Sequence, residues 1–200
     1  MSSCKTAPDS DYERFRQEYE RDNGQTSPSG EDVYQTITIP ASMNVTMTDE
    51  AGIRALLSCG TGILYLGFPE CPWCRTLVPV LIEAMKSTEY PGELYYYNAR
   101  QDRANLSRKP DGSITTECEG SALYKFLLDT LDEYLGPYEG LDEPNIKRIY
   151  FPTTVFVKCG CIASVHLNTL DSQEDGYEPL NADQHLAFFD KFKAEISAIM

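Results

Sequence analysis

The feature that most constrains this chain is a pair of cysteines two residues apart, Cys71-Pro72-Trp73-Cys74, set between two segments of different periodicity. Upstream, residues 63–68 (Ile-Leu-Tyr-Leu-Gly-Phe) form a bounded apolar run of strand length that stops at Pro69. Downstream, Leu77, Val78, Leu81, Ile82 and Met85 recur on one helical face. The pair is therefore expected at a strand-to-helix turn, with Cys71 where first-turn amides and the helix dipole favour a thiolate. Pro72 suits the first helical position, where a missing N–H costs nothing and the fixed φ is already helical. Trp73, the single tryptophan, projects beside the sulfurs as an apolar platform. Such a thiolate attacks a disulfide to give a mixed disulfide that the second cysteine resolves, and the reverse sequence oxidises a dithiol. Cys71 is thus the expected nucleophile and Cys74 the resolving residue, with the direction of electron flow left open by the spacing.

Periodicity places this turn in an alternating chain. Residues 33–39 alternate apolar and polar up to Pro40 and read as an edge strand. Thr48, Asp49 and Glu50 open a helix that carries Ile53, Leu56 and Leu57 and ends at Gly60. Residues 93–99 read as a strand, 101–119 as polar and turn-rich, and 121–135 as an amphipathic helix closed by Gly136 and Pro137. Residues 149–158 and 162–167 form a hairpin across Cys159-Gly160-Cys161, and a closing helix from about Asn181 carries Leu186, Phe189, Phe192, Ile196 and Ile199. This order predicts a three-layer α/β/α fold around a central mixed sheet. Residues 1–32, rich in charge, Ser, Gly and Pro, read as a polar tail or linker in which Tyr12, Phe15 and Tyr19 offer one weak amphipathic stretch for a docked helix. Residues 33–200 make one domain, with an insertion at about 101–148.

Two stretches, taken together, carry a family resemblance. Residues 63–81 join the apolar run, the cysteine pair and the start of the helix; Phe151-Pro152-Thr153-Thr154-Val155-Phe156-Val157-Lys158 follows in the second half. In this order, over roughly residues 49–200, the chain resembles thioredoxin-like proteins, and its Tyr-rich strand and acidic helix are similar to bacterial members of the bacteriocin-transport accessory type. The resemblance implies a thioredoxin-like fold and thiol–disulfide oxidoreductase activity without a bound cofactor or metal. It also implies a disulfide- or dithiol-containing protein substrate and a separate redox partner. Pro152 would then follow a cis peptide bond and face the cysteine pair, with Phe151 and Trp73 contacting an extended substrate segment. The chain departs from the family at Tyr65, six residues before Cys71, where thioredoxins keep a buried acid; Glu70 or a water is then the candidate proton acceptor for Cys74. Its Pro-Trp between the cysteines is nearer to the Pro-Tyr of glutaredoxins. The long insertion would shape the substrate groove.

Composition narrows the partners. With 17 basic and 31 acidic residues the formal charge is −14, which repels phosphate backbones and anionic lipid and argues against nucleic acid. No apolar run approaches the ~20 residues of a membrane-spanning helix, and 42% hydrophobic residues are enough to bury a core.

Seven cysteines leave at least one thiol free or modified. Cys159 and Cys161 read as free thiols of a turn, as an auxiliary redox pair, or as the second half of a zinc site with Cys71 and Cys74. The alternative to an enzyme is a thioredoxin-like binding or accessory module, such as one serving peptide export, with non-catalytic or zinc-binding cysteines. Cys59 and Cys118 read as small buried hydrophobes, and His166 and His185 as structural. Cys4, behind Ser2 and Ser3, has the small-residue context of a bacterial lipidation site. The chain as written is expected in the cytoplasm, or lipid-anchored outside it through Cys4 if a leader was removed.

Overall fold

The computed structural model describes residues 10–40 and 43–200. It is a mixed α/β fold with five helices and a five-strand mixed sheet. The helices are α1 (Asp11–Arg21), α2 (Glu50–Cys59), α3 (Pro72–Ser87), α4 (Ala122–Thr130) and α5 (Ala182–Ile199). The sheet is built from β1 (Val45–Met47), β2 (Gly62–Gly67), β3 (Leu94–Asn98), β6 (Thr153–Lys158) and β7 (Cys161–Leu167) in the order β1-β3-β2-β6-β7, while β4 (Asn105–Arg108) and β5 (Ile114–Cys118) pair separately. β1 and β2 run parallel to β3, whereas β6 runs antiparallel to both β2 and β7. All six residues of β2 are buried, which is why it reads as an unbroken apolar run: a central strand covered on both faces has no polar side to alternate with.

Alternate residues of the sheet face opposite ways. Tyr65 and Tyr96, partners in register, stack at 5.9 Å on the side where Phe15 and Tyr19 of α1 meet them. Further along the same side Phe156 and His166 pack on Phe188 and Phe192 of α5. Elsewhere α2 and α4 meet through the Arg54 guanidinium, 3.9 Å over the Phe126 ring.

Several expectations change. Residues 11–21, read as part of a polar tail, form a capped helix: Ser10 accepts the Glu13 N–H, and Arg16 pairs with Glu13 and Glu20. Phe15 and Tyr19 on its inner face are fully buried. Residues 33–39 form no strand beyond a single bridge between Thr26 and Val33. Ile37 and Ile39 are buried as the alternation predicts, but Val33 is exposed and Tyr34 buried against it, and side chains stand in for a strand partner: Ile37 bonds both ways with the Asn23 amide, and Ile39 N–H donates to Glu20. The edge position falls to β1. The stretch 101–119 contains the β4–β5 hairpin, turned at Asp111 and Gly112, whose φ is +85°. The expected helix over 121–135 ends as α4 at Thr130 and continues as a 3-10 turn, Asp132–Tyr134. The β6–β7 hairpin is as expected. Its two-residue loop, Cys159 and Gly160, has φ of +51° and +76°, the pattern that matches strand twist.

Candidate active site

β2 ends at Gly67, and four residues later Cys71 caps α3. The Cys71 sulfur accepts the Cys74 N–H at 3.3 Å, and Pro72 occupies the first helical position. The pairing of β2 with β6, down to Leu66 opposite Thr153, carries Pro152 to the same end of the sheet. The peptide bond between Phe151 and Pro152 is cis. The Cys71 thiol points at the Phe151 carbonyl, 3.6 Å away, so two motifs 80 residues apart meet at one sulfur. The Pro152 carbonyl accepts the Asn168 N–H at 2.7 Å, tying the end of β7 to this corner.

The two thiols occupy different environments. Burial pushes the Cys71 thiol up, but the Cys74 thiol, the amide N–H groups of Cys74 and Trp73 and the charge of Arg103 outweigh it, so its pKa falls below the ordinary value. Cys74 has no exposed surface; burial and the neighbouring Cys71 sulfur raise its pKa well above the ordinary value. A nucleophile at the mouth and a protonated thiol beneath it can exchange one disulfide in two steps.

Under Cys74 lies a feature that sequence reasoning treated only as an absence. Tyr65 is fully buried, and its hydroxyl is 2.8 Å from that of Tyr19. A Cβ on Gly67 would lie 2.5 Å from the Tyr65 hydroxyl and 3.1 Å from the Cys74 sulfur, so these two groups share the space that a side chain would fill. Burial pushes the Tyr65 phenol well above its ordinary pKa, so it stays protonated and keeps an O–H to give. Glu70 sits at the rim instead, its carboxylate paired with Arg100 at 2.7 Å and Arg21 at 3.5 Å.

Arg75, one turn after Cys71, was also missed. It is 1% exposed and donates to the carbonyls of Tyr19 at 2.8 Å, Gln35 at 2.7 Å and Pro69 at 3.3 Å. One guanidinium thus joins α1, the 33–39 segment and the turn that precedes Cys71. Its position on the buried face of α3 was the signal available.

In front of Cys71 lies a cleft of about 460 Å³ lined by Phe68, Trp73, Phe151 and Tyr150, with Arg103 and Arg148 from the insertion and its end. Trp73 is half-buried: a Cβ on Gly176 would fall 2.9 Å from its ring, so the loop after β7 packs against it.

Cys159 and Cys161 lie at the opposite end of the sheet. Cys159 N–H donates to the Thr61 hydroxyl and Gly160 N–H to the Gly60 carbonyl, just before β2 begins, whereas Cys71 follows its end. A six-residue strand separates the pairs by ~20 Å. That overturns the zinc site built from all four cysteines. Cys59 and Cys118, expected to be buried, are exposed thiols, as are Cys159 and Cys161. His166 is buried among Phe188 and Phe192, and His185 pairs with Glu83 at 2.9 Å. Cys4 lies outside the described residues. Among the described residues no helix is long and apolar enough to cross a membrane. Compared with protein-family models, curated proteins and solved structures, the chain matches none of them.

Proposed function

We propose that the protein is a thiol–disulfide oxidoreductase of thioredoxin-like, three-layer architecture, with Cys71 as nucleophile and Cys74 as resolving cysteine. The observation that carries this reading is the Cys71 thiol at a helix N-cap, 3.6 Å from the carbonyl that precedes cis-Pro152. A structural dithiol needs no depressed pKa and no open cleft beside it.

In the reducing direction, the Cys71 thiolate attacks one sulfur of the substrate disulfide. The substrate S–S bond breaks, a Cys71–substrate disulfide forms, and the departing thiolate takes a proton from water. Cys74 then gives its proton to water and attacks the Cys71 sulfur, which forms the Cys71–Cys74 disulfide and releases the second substrate thiolate to take a proton from water in turn. The substrate gains two electrons and the pair loses two, and a dithiol redox partner restores them. The raised pKa of Cys74 makes its deprotonation the demanding step. Tyr65 lowers that demand by donating to the developing thiolate, and the Tyr19 hydroxyl, 2.8 Å behind it, supports the donor.

The test is a redox titration of the pair against glutathione buffers, followed by Trp73 fluorescence, with Cys71→Ser as control. A reversible two-electron transition is expected. A midpoint near about −270 mV marks a reductase, and one between about −180 and −120 mV an isomerase or oxidant. No transition, or one that survives Cys71→Ser, overturns the enzyme and leaves an accessory module with structural cysteines.

A further inference from the structure

The cleft at Cys71 brings two arginines together on a chain that is acidic overall. The chain carries 31 acidic and 17 basic residues, yet Arg103 and Arg148 both line the cleft. Among the described residues neither has a carboxylate within ion-pair distance. Arg103 lies over the Phe68 ring, 5.7 Å from its centroid. Arg148 lies over Tyr138 at 4.4 Å and Tyr150 at 5.4 Å and donates to the Asn105 side chain at 3.3 Å. Stacking on rings holds a guanidinium flat and leaves much of its N–H edge free for a carboxylate, so less freedom is lost when one binds.

The acids nearby do not cancel this charge. Glu70 is taken by Arg100 and Arg21. Glu70 and Glu139 both line the cleft with the two arginines, and among the described residues only Glu139 of these acids is without an ion-pair partner. The loop bearing Asp171, Glu174, Asp175 and Glu178 packs against Trp73 through Gly176, but none of these acids lines the cleft.

We propose that Arg103 and Arg148 form a carboxylate-binding subsite beside Cys71, so that the preferred substrates are disulfides with an acidic group next to the sulfur. Turnover of such substrates rests on the oxidoreductase reading; the subsite itself does not. The acidic group can belong to a peptide segment or to a small dicarboxylate disulfide, which share this chemistry.

The experiment compares disulfide-linked peptides of equal length in which the cysteine is flanked by Asp and Glu, by Ser, or by Lys. The expected order of kcat/KM is acidic, neutral, basic, with roughly tenfold between the extremes at low salt and less at high salt. Arg103→Gln and Arg148→Gln should each bring the acidic-to-basic ratio toward one. Arg103→Gln also slows all three peptides, because its charge supports the Cys71 thiolate, so the ratio is the readout. A parallel arm compares 3,3′-dithiodipropionate with its neutral diamide: preference for the diacid adds small molecules to the substrate class, and preference confined to the peptides restricts it to polypeptide.

The same three peptides with serine for cysteine, titrated by Trp73 fluorescence, read the subsite without any redox step. Tighter binding of the acidic peptide, weakened in both arginine variants, supports the subsite even if no peptide is reduced, a result that would count only against the oxidoreductase. Equal binding of acidic and basic peptides, or a preference untouched by both variants, overturns the subsite even if all peptides are reduced.

Discussion

Cys71 and Cys74 are one side chain in two settings: helix-start amides and Arg103 favour the Cys71 thiolate, burial and the Cys71 sulfur disfavour that of Cys74, and the Tyr65 hydroxyl offsets part of the Cys74 penalty. A hydrogen bond to a charged group contributes about 1.5–3 kcal/mol. Tyr65→Phe should therefore slow resolution of a trapped Cys71 mixed disulfide roughly ten- to hundredfold, with initial attack by Cys71 nearly unchanged; rapid-quench kinetics would separate the steps. Equal slowing of both would reduce Tyr65 to packing. A second residue-scale prediction concerns His166, whose pKa is lowered to about 4, chiefly by burial and then by the charge of Lys191. Because the folded pKa lies below the unfolded value near ~6.5, its contribution is fully present above pH ~6.5 and is lost as pH falls toward 4. Glu195, raised to about 7 by burial, acts with the opposite sign: its contribution is lost as pH rises through that value. The difference between wild type and His166→Leu in urea denaturation isolates the histidine, and it should change by on the order of 3 kcal/mol across that window. A pH-independent difference would show that His166 is already charged in the folded protein.

At the scale of elements, the chain is held together around one buried cation. Arg75 bonds carbonyls in three separate segments, and Arg75→Leu leaves these oxygens buried without a donor. The expected loss is about 3–5 kcal/mol by urea denaturation, and Arg75→Lys should recover little because an ammonium cannot reach three diverging acceptors. A loss under ~1 kcal/mol would mean that water replaces the guanidinium. Local patterns explain which elements could be read beforehand. β2, α3 and the β6–β7 hairpin carry strong apolar signals of a single period. The β4–β5 hairpin does not, because its residues are half-buried or exposed on both sides and carry no alternation. Residues 33–39 do alternate in type, but Val33 is exposed and Tyr34 buried against that pattern, and at Ile37 and Ile39 side chains take the place of a strand partner. In α5 the buried face runs through Phe188, Phe192, Ile196 and Ile199, while Leu186 is 54% exposed. A helix with apolar residues on adjoining faces lets its neighbours choose the rotation.

At the scale of the whole molecule, the antiparallel insertion of β6 beside β2 sorts the cysteines to opposite ends. Cys71 and Cys74 share a corner with Pro152, and Cys159 and Cys161 share the far turn with Gly60 and Thr61. The double substitution Cys159→Ser, Cys161→Ser should therefore leave the midpoint of the Cys71–Cys74 couple unchanged; a shift comparable to that from a substitution beside Cys71 would mean that the distant thiols exchange with the pair. What the sequence determined by itself was the local chemistry: a thiol at a helix start, the proline-bearing strand, and a mixed α/β order. These follow from spacing and period, which act over a few residues. The tertiary structure decided the rest. It brought the Tyr65 and Tyr19 hydroxyls together near Cys74, made Arg75 a tie between three segments, and set Arg103 and Arg148 on one cleft. Each of these depends on side chains far apart in the chain converging where water is excluded, and no local pattern encodes that convergence.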